Sequence, residues 1–158
     1  MAVSEYLSDQ TVFLQLESRE KVGALREMLA AVSTAGAFAE SEVSAFLDQF
    51  MEREKLGSTG IGRGMAIPHI KSDKIEADPT VAIGVSEAGI EFSSIDGEPV
   101  HTLFMILSPT ERAAQHLEIL KGISALARDR DFCRLVRRMN TAEDIRLLIR
   151  DLEEGNDG

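Results

Sequence analysis

Three histidines, His69, His101 and His116, are the residues of this chain best suited to chemistry. An imidazole with its ordinary pKa of ~6.5 is a neutral nucleophile near physiological pH. His69 directly follows Pro68. Proline fixes φ and lacks an N–H, so Ile67-Pro68 cannot run on as an ordinary central strand. His69 is therefore expected where a strand ends and a loop folds back, both held and exposed. A partner on one ring nitrogen would leave the other free to attack phosphorus or bind a metal. A lone histidine is also commonly structural, and the residue alone leaves both readings open. His116 lies in the first turns of an expected helix, on the face of Leu120 and Ile123. It is either a satisfied histidine at the core edge or a second imidazole placed near the first. His101, inside Val100-His-Thr-Leu-Phe104, reads as a packed strand residue with no chemistry.

Arg53 belongs to the charged helix end Glu52-Arg-Glu-Lys-Leu56. Such a run is usually solvated, but a guanidinium can neutralise phosphate oxygens through paired hydrogen bonds. Cys133, the single cysteine, excludes an internal disulfide and a cysteine-based metal cage. Its helical spacing with Val136 makes it a small core residue.

Between Arg53 and His69 lie four glycines, Gly57, Gly60, Gly62 and Gly64. Such a cluster implies positive φ angles or close approach of another group to the main chain. It is no Walker loop, because Gly64 is followed by Met65-Ala66 rather than Lys-Ser/Thr. Nor is it the dinucleotide fingerprint, which needs glycine where Met65 stands. A tight turn between a helix and a strand is the alternative.

The elements that must position these groups follow from periodicity. A helical turn is expected around Val3–Leu7 and a strand over residues 11–16. Val22, Leu25, Met28, Leu29 and Val32 mark a helix capped by Ser18 and ended by Thr34-Ala-Gly36. Val43, Phe46, Leu47, Phe50 and Met51 mark a second, capped by Ser41 and stopped at Gly57. Residues 57–64 have no periodicity and read as a shaped loop leading into Met65-Ala-Ile-Pro68. Val81–Val85 reads as a strand, Ile90–Phe92 as a short one, and Ser94–Pro99 as a turn. Val100–Leu107 is nearly continuous apolar sequence, the pattern of a central strand. Ser108-Pro-Thr-Glu111 matches a capping box for the helix carrying Leu117, Leu120, Ile123 and Leu126. Two further helices carry Phe132, Leu135, Val136 and Met139, then Ile145, Leu148, Ile149 and Leu152, with Thr141 and Asp144 as candidate caps. Residues 153–158 are expected to fray as a flexible acidic tail.

The 158 residues suit one domain, here a single α/β domain with helices packed on a mixed sheet. A net charge of −10 repels phosphate backbones and anionic lipid, which disfavours nucleic acid and membrane surfaces as partners and fits a basic protein. No apolar run reaches the ~20 residues of a spanning helix, and the N-terminus lacks signal-peptide patterning. A cytoplasmic location is expected.

The segment Arg53-Glu-Lys-Leu-Gly-Ser-Thr-Gly-Ile-Gly-Arg-Gly-Met-Ala-Ile-Pro-His69 closely resembles the active-site segment of type-2 IIA domains of the bacterial phosphoenolpyruvate-dependent phosphotransferase system. These are the fructose/mannitol and nitrogen-regulatory class. The resemblance extends over the element order to about residue 152, including His116-Leu-Glu-Ile-Leu120. It implies the type-2 IIA fold over residues 1–152 and a phosphoryl carrier needing no metal or organic cofactor. His69 would accept phosphate from the histidine phosphocarrier protein and pass it to a IIB acceptor, or hold it as a signal. His116 would be the second active-site histidine and Arg53 the phosphate-facing arginine. Ser58, Thr59, Gly60, Ile61, Gly62 and Arg63 would form a phosphate- or partner-binding loop. Many relatives carry asparagine at position 63 and glycine at 70, so Arg63 would add a cation near the site and Ile70 would stiffen the loop after His69.

Gly-Ser-Thr-Gly-Ile-Gly and the presence of a IIA domain alone favour nitrogen-type regulation over sugar uptake. A chain with no room for IIB or the membrane-embedded IIC is expected to act through separate proteins. Two other classes compete. One is a regulatory binding module of the same fold without phosphotransfer, against which the joint presence of Arg53, His69 and His116 argues. The other is a metal-dependent hydrolase built on His69 and His116, which lacks a third ligand or a His-Glu-x-x-His motif.

Overall fold

The structure, a computed structural model, describes residues 2–157. A six-stranded mixed sheet lies between two helical layers. In chain order the elements are strand β1 (Val12–Phe13), helices α1 (Lys21–Thr34) and α2 (Val43–Lys55), and strands β2 (Gly60–Gly62), β3 (Met65–Ala66), β4 (His69–Ser72), β5 (Thr80–Ile90) and β6 (Val100–Pro109). Helices α3 (Ala113–Ala127), α4 (Arg130–Val136) and α5 (Ala142–Asp157) complete it. The sheet order is β1-β5-β6-β3-β2, with β4 also paired to β6. The apolar run at Val100 is thus the central strand expected, antiparallel to β5 and parallel to β3 and β4.

Alternation along the strands sends side chains into two cores. Val81, Ile83, Val85, Phe104 and Ile106 face α3, α4 and α5. Ala82, Leu103, Met105 and Leu107 face α1 and α2 with Phe46 and Phe50. All of these side chains are at most 5% exposed, so both layers are sealed. Ile70 is one of the α1/α2 core residues, and its expected loop is strand β4.

Several sequence expectations need correction. The strand over 11–16 shortens to Val12–Phe13 because residues 9–11 form a 3-10 turn capped by Ser8. Residues 60–66 form a hairpin rather than a loop: Gly62 pairs Met65, and Arg63 (φ 58°) with Gly64 (φ 76°) make the two-residue turn. Positive φ at both positions is the type I′ hairpin geometry. Neither Ser18 nor Ser41 caps a helix. Thr141 does cap α5, accepting from the Asp144 N–H at 3.0 Å. That helix runs on to Asp157, so residues 153–157 are helical where a frayed tail is expected. The reason is Glu153, whose carboxylate accepts from the backbone N–H groups of Val3 (2.6 Å) and Ser4 (3.1 Å) and ties the two chain ends together. Met1 and Gly158 lie outside the described residues.

Candidate functional site

Strand β3 and strand β4 lie along β6 in one unbroken register, Ala66 beside Leu103 and His69 beside Ile106. Ile67-Pro68 interrupts the pairing between them without shifting it. Pro68 donates nothing, but its carbonyl accepts from the Ile106 N–H (2.9 Å), and the Ile67 N–H donates to Thr59 O (3.0 Å). His69 therefore begins a strand rather than ending one. Its position, two after Ile67, puts it on the α3 side of the sheet.

That side brings three further groups to it. His116 projects from the buried face of α3, and the two rings stand 5.6 Å apart, centroid to centroid, tilted by 53°. Ser108, at the end of β6, lies 2.6 Å from His116 Nδ1 through its Oγ. Arg53, at the last turn of α2, reaches the same cavity, of about 650 Å³, with Lys71, Gln49, Leu117 and Leu120 around its rim. The guanidinium is tethered by donating from Nη1 to Gly57 O (2.9 Å), and Gln49 donates to Lys71 O (2.6 Å), covering the free edge of β4.

The His69 Nδ1 lies 2.6 Å from Ile67 O. A carbonyl only accepts, so Nδ1 carries the proton and Nε2 keeps its lone pair. Burial lowers the His69 pKa, opposed by the Ile67 hydrogen bond and the Glu54 charge and assisted by the Arg53 and Lys71 charges. His116 is only 5% exposed, and its pKa is lowered to about 4, first by burial and then by the His69 and Lys71 charges. Both rings are thus neutral at neutral pH. The site combines an imidazole lone pair with two cations and little competing carboxylate, an arrangement suited to receiving an anionic group.

Ser108 was hidden from the sequence by the apparent capping box. In the structure Ser108-Pro109 completes β6, residues 110–112 form a 3-10 turn with no side-chain cap, and the hydroxyl goes to His116 instead. Glu54 was hidden in a charge run, although it continues the α2 stripe of Phe46, Leu47 and Phe50. It is buried, accepts from both the N–H and the hydroxyl of Thr59, and pairs with Lys21 at 3.4 Å. The glycine segment thereby becomes a support for the His69 turn rather than its lining. Ser58 donates to Phe92 O (2.7 Å) and accepts from the Gly60 N–H (3.0 Å). Gly60 packs so closely on Ser94 that an added Cβ would lie 2.4 Å from its Oγ. Ile61 is exposed on the hairpin, and Gly62 takes φ 94°. None of residues 58–63 lines the cavity of His69. Arg63 points elsewhere, donating to Ala127 O (3.3 Å) and Arg128 O (2.9 Å) at the end of α3, so it is no cation of this site. Among the described residues no three His, Cys, Asp or Glu side chains converge as metal ligands.

The fold and site define a three-layer α/β domain with a paired-histidine cavity at the interrupted edge of its sheet. The chain belongs to the family described as phosphoenolpyruvate-dependent sugar phosphotransferase system, EIIA 2, whose profile matches residues 5–152. It is 32% identical over 145 residues to a nitrogen regulatory protein of Bradyrhizobium diazoefficiens, covering 92% of each chain. It is 36% identical over 126 residues to the fructose-specific EIIABC component of Bacillus subtilis, covering 80% of this chain but only 19% of that longer protein. Among solved structures, nitrogen regulatory protein IIA-Ntr from Neisseria meningitidis superposes with a TM-score of 0.83 at 26% identity, covering 93% of this chain and 98% of that one. The Escherichia coli mannitol IIA, solved in complex with phosphorylated mannitol IIB, has a TM-score of 0.75 at 17% identity, covering 92% and 97%, and shares the fold. No helix among the described residues is long and apolar enough to cross a membrane.

Proposed function

We propose that the chain is a cytoplasmic phosphohistidine carrier in which Nε2 of His69 is the acceptor atom. The observation that carries this reading is the Ile67 carbonyl on Nδ1, which fixes the tautomer and leaves Nε2 as the nucleophile. The donor is the phosphohistidine of a histidine phosphocarrier protein. As the new N–P bond forms, the donor's N–P bond breaks and its ring leaves neutral. His69 keeps its Nδ1 proton, so its ring becomes an imidazolium, and the Ile67 carbonyl stabilises that charge. Ser108 donates its hydroxyl proton to His116 Nδ1, leaving His116 Nε2–H free to donate to a phosphoryl oxygen. Arg53 and Lys71 balance the phosphoryl charge. Transfer between two imidazoles is nearly isoenergetic, so alignment and charge neutralisation are the protein's main tasks.

A IIB domain or a regulatory target is the onward acceptor. The first is supported by the mannitol IIA–IIB complex of a neighbour with this fold. Regulation is favoured over sugar uptake by the nitrogen regulatory relative that matches along 92% of both chains. The test is incubation with phosphoenolpyruvate, enzyme I and the histidine phosphocarrier protein. One acid-labile phosphate per chain is expected, and none in His69→Ala. Label that persists in that variant would refute the site, and a folded wild-type chain that takes no label from its cognate donor would favour a binding module without phosphotransfer.

A further inference from the structure

Beside the hairpin turn at Arg63-Gly64 lies a second cavity, of about 760 Å³, that the proposed carrier chemistry does not use. Its lining is rich in arginine: Arg130, Arg134, Arg137 and Arg138 come from α4 and the residues just after it, and Arg63 comes from the hairpin turn. Five of the twelve arginines of a chain with net charge −10 thus meet at one depression. Unpaired like charges repel one another, so such a cluster is favourable only when an anion neutralises it. Arg134 is paired with Asp131 (3.1 Å), but Arg130, Arg137 and Arg138 have no ion pair or side-chain hydrogen bond among the described residues.

The same lining carries Glu87, Glu98 and Asp96, of which Asp96 is already engaged by the backbone N–H groups of Arg63 and Glu98. Pro99 and the His101 ring also line the cavity, the ring fixed by its Nδ1 on Ser86 O (2.8 Å). Five guanidiniums against three carboxylates leave an excess of two positive charges. A bare polyanion would meet the carboxylates unfavourably. A molecule that carries both phosphates and hydroxyl or amino donors would satisfy both kinds of charged lining group, and a flat ring would pack on Pro99 and the His101 ring. The volume is in the range that small-molecule sites use.

We propose that this cavity binds a nucleoside di- or triphosphate, its phosphates on the α4 arginines and its hydroxyl and amino groups towards Glu87 and Glu98. Magnesium-free ADP is the probe, titrated by calorimetry alongside adenosine and inorganic pyrophosphate. One saturable site is expected, weakening as salt rises. Adenosine and pyrophosphate should each bind about tenfold or more weakly than ADP. Arg137→Ser/Arg138→Ser, both exposed positions, should weaken ADP about tenfold with unchanged thermal stability, and His69→Ala should leave ADP binding intact. Absence of ADP binding into the millimolar range, or binding that the double variant leaves unchanged, would overturn the proposal. Pyrophosphate binding as tightly as ADP would overturn the nucleoside half of it, and loss of ADP binding in His69→Ala would assign the ligand to the carrier site instead.

Discussion

The two cavities use the same side-chain types under opposite constraints. Around His69 both rings and the guanidinium are held: Ile67 O holds one ring, Ser108 the other, and Gly57 O tethers the arginine. Around His101 one ring is held, while three guanidiniums project without partners. Rigid, neutral imidazoles beside two cations suit a covalent step whose geometry must be set beforehand. Exposed cations on and just after a short helix suit reversible capture of an anion. A histidine therefore means different things in the two places. At His69 the carbonyl frees Nε2 into an electropositive opening. At His101 the same kind of bond, to Ser86 O, leaves Nε2 against Gly89, where an added Cβ would stand 3.4 Å from it.

The largest expected effect separates the two histidines. His69→Ala should abolish phosphate incorporation, whereas His101→Ala should retain it at close to the wild-type rate, both read as acid-labile label under the same donor proteins. Label lost in both would mean that the two rings support one structure on which the transfer depends.

The same contrast explains what the sequence could and could not reveal. The central strand, α1, α2 and the apolar faces of α3 and α5 were legible because period-2 and period-3.6 patterns report burial directly. Arg53, His69 and His116 were legible as candidates by residue type, and the structure brings them to one cavity. Ser108 was misread because Ser-Pro-x-Glu is a strong local cap signal, and a tertiary partner, His116, outcompeted it. Strand β4 was missed because Pro68 signals an end to pairing, whereas β6 holds the register across the break. Arg63 was misplaced because sequence distance to His69 says nothing about which way a hairpin turn points. The arginines of α4 were invisible as a cluster, since only the fold gathers them around one cavity with Glu87 and Glu98.

Support of the carrier cavity from behind can be sharpened next. Glu54 is a buried carboxylate accepting from the Thr59 N–H at 2.9 Å and from its hydroxyl. Glu54→Ala would leave that buried N–H and hydroxyl without their acceptor and Lys21 without its partner. A loss of about 3 kcal/mol in urea unfolding is expected, with Glu54→Gln losing less. An Ala variant as stable as wild type would show that the glycine segment holds the His69 turn without this anchor.

The buried imidazole of His116 gives the carrier cavity a pH signature. Its folded pKa of about 4 lies below its unfolded value of ~6.5, so between them the unfolded chain binds more protons. The stability from neutral His116 is fully present above pH ~6.5 and is lost as pH falls toward ~4, about 2 kcal/mol of it by pH ~5. His69, shifted the same way, adds to the loss. Urea unfolding compared at the two pH values should show this difference, and His116→Gln should shrink it. A variant with the wild-type pH dependence would transfer the effect to other groups.

The smallest effect tests the hairpin turn that borders the second cavity. Arg63 holds φ 58°, a left-handed conformation that costs a non-glycine residue about 1 kcal/mol or more and that asparagine tolerates better. Against that cost stand two hydrogen bonds from its Nη1, one half-buried to the Ala127 carbonyl and one exposed to the Arg128 carbonyl, together worth about 1 kcal/mol. Arg63→Asn removes the strain and the bonds together and should change stability by less than about 0.5 kcal/mol. Arg63→Lys keeps the strain and loses the fork, so it should cost about 1 kcal/mol. Because Arg63 lies outside the cavity of His69, both variants should take phosphate at the wild-type rate, while ADP binding at the second cavity weakens in Arg63→Asn through the lost charge. Slowed phosphate uptake in Arg63→Asn would return this arginine to the carrier site and dissolve the separation between the two cavities.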